Sequence, residues 1–175
     1  GVALTLSAAD ADRMMISEDG SFTGAVYEPY ATGKSFTLSS GDGAKTVYVK
    51  YKDIAGNETA PLSAAITLDT QAPTVALSSI EASPTNTSPI LVTITFSKPV
   101  TGFTESSSSN GTAYKVNIIP TAQGEVTVDV VGGVAQDAAG NSNTAAVQWN
   151  IIYDTKPPTD GTLSINSGAA YTNST

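Results

Sequence analysis

The side chains able to do chemistry in this chain are oxygen donors. Sixteen carboxylates stand against eight basic residues, with no histidine and no cysteine. Lacking histidine, the chain has neither the commonest general base nor the usual zinc and copper ligand. Lacking cysteine, it can form neither thiolate metal sites nor disulfides. Carboxylates mixed with asparagine amides suit calcium, which takes roughly six to eight oxygen ligands. Two sets have that composition: Asp69, Asp137 and Asn141, and Asp154 with Asp10, Asp12, Asp53 and Asn57. Acid pairs could also hydrolyse glycosides, but nothing in the sequence sets two of them in an aromatic-lined cleft. No Gly-rich phosphate loop, nucleophile elbow or metal-hydrolase motif is present. Catalysis is therefore not expected.

The charge balance narrows the partners. A net charge of −8 with a single arginine, Arg13, leaves no basic cluster to neutralise phosphate, so nucleic acid is not expected as a partner. No apolar run approaches the roughly 18 residues of a membrane span, and the N-terminus lacks a signal pattern. Any export signal or anchor is expected outside this segment, and no membrane insertion within it. Hydrophobic residues are 40% of the chain and charged ones 14%, which is the balance of a folded chain rather than a disordered one.

The elements that must position these acids read as strands. Apolar residues alternate with period two between Gly, Pro, Asn and Asp turns, and no stretch keeps a helical period. Val2, Leu4 and Leu6 open the series, followed by Phe36 and Leu38, then Val47, Val49 and Tyr51, then Ala64, Ile66 and Leu68. A second series runs through Val75 and Leu77, then Ile90 to Phe96, Tyr114 to Ile118, Val126 to Val130, and Val147 to Tyr153. Short strands at this spacing predict an all-β chain of two sandwiches, each strand burying one face.

Repetition sharpens the division. Lys52-Asp53-Ile54-Ala55-Gly56-Asn57 returns as Gln136-Asp137-Ala138-Ala139-Gly140-Asn141. Asp69-Thr70-Gln71-Ala72-Pro73-Thr74 returns as Asp154-Thr155-Lys156-Pro157-Pro158-Thr159. The steps from Asp53 to Asp137 and from Asp69 to Asp154 are nearly equal, so two separate segments agree on one period. The expected division is residues 1–69, residues 70–154, and residues 155–175 as a linker with the first strand of a further domain.

The termini are complementary. The second unit has a first strand, Val75 to Ile80, before the strand that begins at Ile90. The first unit begins directly at its second strand, and Gly161 to Ile165 followed by a turn through Tyr171 and Asn173 is the expected missing piece. Joined end to beginning, Asn173-Ser174-Thr175-Gly1-Val2-Ala3-Leu4-Thr5-Leu6 aligns without a gap on Asn86-Thr87-Ser88-Pro89-Ile90-Leu91-Val92-Thr93-Ile94. Covalent continuation between copies satisfies this, and so does exchange of the C-terminal strand between separate subunits. The seamless join favours continuation.

The chain resembles the tandem bacterial immunoglobulin-like (Ig-like) repeats of large surface proteins and adhesin stalks. The resemblance lies in Asp-Thr-x-x-Pro-Thr at the linker, in Val92 to Phe103, and in Gly124 to Asn141. The first unit resembles a sister type through Tyr27-Glu28-Pro29-Tyr30 and Ser39 to Val49. It implies two Ig-like β-sandwiches in tandem, the first lacking its own N-terminal strand, in a secreted, cell-surface setting. It implies a structural repeat of a stalk or filament, assembled head to tail with neighbouring copies, with other filaments or a cell-surface ligand as further partners. The alternative is an adhesin or carbohydrate-binding or protein-binding module.

In such a sandwich the loops after the second and sixth strands face the arriving linker. Asp69 is then expected near Asp137 and Asn141, and the preceding copy's Asp154 near Asp10, Asp12, Asp53 and Asn57, as interdomain calcium sites. Related stalks stiffen their linkers this way, which the resemblance implies. The competing reading of Asp-x-Ala-Gly-Asn is a plain turn, with Gly at positive φ and Asp bonding locally. Trp149 falls in phase with Ile151, so it is expected in the core, whereas Tyr27 and Tyr30 beside Pro29 are candidates for exposed aromatics or, equally, for packing within their loop. Glycosylation sequons begin at Asn57, Asn86, Asn110 and Asn173 and matter only in a glycosylating host.

Overall fold

A computed structural model describes residues 1–103, 111–168 and 171–172. The chain is all-β, with one 3-10 turn at Asn166–Gly168, and among the described residues no helix is long and apolar enough to cross a membrane. It divides into two compact units, Gly1–Ala72 with Ala138–Asn141, and Pro73–Asp137 with Ser142–Thr175. Asn110 and Asn173 lie outside the described residues.

The first unit holds β1 (Val2–Thr5), β2 (Arg13–Ser17), β3 (Glu28–Pro29), β4 (Gly33–Phe36), β5 (Gly43–Lys52) and β6 (Leu62–Leu68). One sheet is the pair β1-β4 and the other runs β3-β2-β5-β6, all antiparallel. Its core gathers Leu6, Met14 and Tyr51, with Leu4, Ile16, Tyr30 and Val49 packed around them. Met14 is 1% exposed. The Tyr30 and Tyr51 rings meet edge to face at 5.8 Å, the arrangement their quadrupoles favour.

The second unit holds β7 (Val75–Ser79), β8 (Ile90–Phe96), β9 (Ala113–Ile118), β10 (Gly124–Val128) and β11 (Trp149–Tyr153). Its sheets are β7-β8-β9 and β10-β11. Two clusters build its core. One centres on Ile94, Phe96, Tyr114 and Val130, the other on Ile90, Val92 and Ile151, and Leu77 of β7 packs against both.

The two units repeat a ladder as well as a sequence. Gly43 pairs with Leu68 at the start of β5-β6, and Gly124 pairs with Tyr153 at the start of β10-β11. Both glycines sit at φ 127°, a backbone state side chains rarely adopt, which fixes where each ladder starts.

Three expectations need correction, and one open choice is decided. Arg13–Ser17 and Glu28–Pro29 are strands without the alternation that would announce them. Val147 is 89% exposed and precedes β11. Of the two readings of Tyr27 and Tyr30, the structure agrees with packing: both are half-buried, Tyr30 on the core cluster and Tyr27 under the ammonium groups of Lys50 and Lys52. Gly161 to Ile165 forms no strand, and Leu163 and Ile165 are 90% and 74% exposed. A strand exists only through its ladder, and among the described residues this segment has no ladder partner.

Candidate functional site

The repeated turn closes on itself. Asp53 Oδ1 accepts from the Asn57 backbone N–H at 2.8 Å and Asp53 Oδ2 from Asn57 Nδ2 at 2.7 Å. These bonds, the Asn57 side chain first, hold the Asp53 carboxyl below its ordinary 3.8. Asp10 lines the same shallow hollow as Asp53 and Asn57. Asp12 faces Arg13 at 3.5 Å. In the second unit Asp137 is buried and meets Lys98 Nζ at 3.1 Å. Asn141, grouped with the first unit, donates to the Asp69 carbonyl at 3.0 Å. Asp69 and Asp154 each accept from the backbone N–H two residues on, Gln71 and Lys156, at 3.0 and 2.9 Å. The structure thus brings together Asp10, Asp53 and Asn57, and Asp69 with Asn141. Among the described residues no group of three acids is placed to hold a metal ion.

Two clamps on the linkers escape sequence reading. Thr70 donates to Asp42 Oδ1 through both its backbone N–H, at 3.0 Å, and its hydroxyl, at 2.8 Å. In the second unit the Gln123 amide, turned so that its oxygen faces Thr155, accepts from Thr155 Oγ1 at 2.8 Å and Lys156 N at 3.2 Å. Asp42 precedes Gly43 as Gln123 precedes Gly124, so one turn position in each unit fastens the Asp-Thr that begins the following linker. The first linker is also held at its far end, where Thr144 N donates to the carbonyl of buried Pro73 at 2.9 Å. The sequence shows a Gly turn ahead of each repeated Asp-Thr linker, but does not mark the side chain before each glycine as its partner.

The sheets differ at one edge. In the second unit β8 lies between β7 and β9. Phe96 N bonds the Thr112 carbonyl on the β9 side, and Ser97 N the Thr74 carbonyl on the β7 side. In the first unit, among the described residues, β1 pairs only with β4. Leu6 N bonds the Thr32 carbonyl at 2.8 Å, so by the alternation of an antiparallel ladder Val2 and Leu4 face β4. Ala3 and Thr5 then turn their N–H and C=O outward. Beside that edge runs an apolar groove lined by Leu4, Leu6, Val47, Val49, Tyr51 and Leu62.

The groove leaves half a core uncovered. Ile66 of β6 pairs with Lys45, and Ile151 of β11 pairs with Val126, at equal distances from Gly43 and Gly124. These are equivalent positions, yet Ile66 is 46% exposed and Ile151 only 2%. Trp149 packs with the Ile151 cluster, the core placement its phase predicts.

Residues 69–153 match the family model described as the bacterial Ig-like domain. Comparison with curated proteins finds no match. The matched residues start at the clamped linker and carry the paired sheets β7-β8-β9 and β10-β11. Over residues 69–153, a little under half of its length, the chain is similar to the bacterial Ig-like domain.

Proposed function

We propose that the chain is a structural repeat unit of an extracellular stalk or filament, a spacer whose partners are neighbouring copies arranged head to tail. Bacterial Ig-like domains are commonly found in surface proteins and are typically non-enzymatic. The observation that carries the reading is the equivalent clamping of both linkers, Asp42 on Thr70 and Gln123 on Thr155. A spacer transmits force and direction only if the chain leaving each sandwich is fixed to it. Proline then limits bending further, since its ring locks φ. Electron microscopy of the native assembly that carries this chain tests the role. Fibres or stalks with a beaded repeat support it, and an unextended ligand-binding particle contradicts it.

Calcium enters this proposal as an accessory in the first unit, where Asp10, Asp53 and Asn57 share a hollow. The ion would replace the bonds Asn57 makes to Asp53, so binding is expected at about millimolar strength, the range of extracellular modules. Isothermal calorimetry with calcium should give heat that Asp53→Asn removes. Absence of heat in the unaltered chain removes calcium from the account.

A further inference from the structure

We propose that the open edge of β1 and the groove beside it receive residues Gly161–Ile165 of a second copy of this chain, added as an antiparallel strand. The inference deepens the structural-repeat reading and rests on it for the nature of the partner.

The second unit shows what the first one lacks. There β7 pairs with β8, setting Leu77 against Ile94 and Ser79 against Val92, and Leu77 covers the cluster around Ile151. The first unit has the same floor, with Ile66 where Ile151 stands, but among the described residues no strand covers it as β7 covers Ile151. No cluster comparable to that of Ile90, Val92 and Ile151 forms there among the described residues.

Gly161–Ile165 has the composition of the absent strand. It follows the second copy of the Asp-Thr-x-x-Pro-Thr linker, with Asp160 as one residue more between them than β7 has after the first. Gly161, Leu163 and Ile165 alternate as Val75, Leu77 and Ser79 do. Leu163 and Ile165 are strongly exposed in a segment that has no ladder of its own.

The linker step from Asp69 to Asp154 alone would set Thr162 at the Leu77 position, so the register is taken from the alternation instead, with Leu163 standing for Leu77 and Leu6 for Ile94 in the β7-β8 pairing. Leu163 then lies opposite Leu6 and Ile165 opposite Leu4, both side chains turned into the groove. Ser164 comes opposite Thr5, whose outward N–H and C=O it would bond, as Ser78 comes opposite Thr93. The polar and apolar faces of donor and acceptor agree in phase. A shift of one residue would turn Leu163 and Ile165 to solvent, so the pattern specifies the register.

Sedimentation velocity on the full chain across concentration tests this, with two variants. Leu163→Asp spoils only the donor, since Leu163 is exposed and outside any strand. Thr5→Pro spoils only the acceptor, removing an N–H that points away from β4. Circular dichroism checks that each still folds, and Leu163→Asp alone suffices if Thr5→Pro does not.

The unaltered chain should form concentration-dependent oligomers. Leu163→Asp should weaken association by about 100-fold or more, because an unpaired carboxylate would enter an apolar groove. Mixing the two variants should restore a dimer and nothing larger, because each keeps the half that the other lost. A chain that stays monomeric to about 1 mM overturns the proposal, as do oligomers indifferent to Leu163→Asp. Either failure leaves the stalk role standing if beaded fibres are seen, whereas missing fibres with intact strand exchange defeat the stalk role alone.

Discussion

At the scale of single residues, the side chains that matter most are small polar groups spending their charge on the backbone. Asp42 is exposed, yet both of its bonds reach Thr70, 28 residues on. Asp42→Ala is expected to cost the first unit about 1 kcal/mol. It should also free the linker, visible as faster amide exchange at Thr70; unchanged exchange there would deny the clamp its role. The acid response follows from the same chemistry. Asp53 is held low by Asn57, Asp19 by Ser21 and then Thr23, and Glu58 by Lys50 and then Tyr27. A carboxyl whose folded value is depressed adds stability above its unfolded value and loses it as pH falls through the folded one. The melting temperature should therefore hold above about pH 5 and decline below about pH 4. Asp53→Asn should flatten that decline, and an unchanged slope would show that the Asn57 bonds contribute nothing. The Asp42 clamp was not legible from sequence, because a contact between residues so far apart depends on how the ladder returns the chain. The Asp53 turn was legible, because its bonds are local.

At the scale of elements, alternation identified the strands that bury one face between water and core. It found β5 through Val47, Val49 and Tyr51, and β8 through Ile90, Val92, Ile94 and Phe96. It missed β2, where adjacent Met14 and Met15 are both buried, at 1% and 9% exposure. Methionine is flexible enough to fill gaps on either side, which erases the period-two signal. Gly161 to Ile165 errs the other way, since its alternation is right but no ladder partner lies beside it among the described residues. The asymmetry of the two sandwiches yields a direct comparison. Ile151→Ala should destabilise the second unit by about 3 kcal/mol, because it empties a filled core. Ile66→Ala, at the equivalent position, should cost the dilute chain about 1 kcal/mol or less, since that side chain is already half in water. Chemical denaturation followed on each unit decides the matter, and equal losses would mean that Ile66 is covered.

For the whole molecule, repetition carried the functional reading further than any site did. Beside the period shared by the Asp53 and Asp69 motifs, each unit starts the ladder before its linker at a glycine, Gly43 and Gly124. What the sequence could not supply was which edge stays open and which hydrophobic side chains line it, since that needs both sheets in place. On the strand-exchange proposal the first sandwich is incomplete along β1 and a neighbouring copy closes it. Residue-resolved amide hydrogen exchange at Ala3 and Thr5, measured against concentration, tests that claim most directly. Both amides should exchange rapidly in dilute solution, while Thr93 and Thr95 on the covered side of β8 stay protected, and both should slow as concentration rises. Protection at Ala3 and Thr5 equal to that of Thr93 and Thr95 in dilute solution, or exchange that ignores concentration, would contradict it.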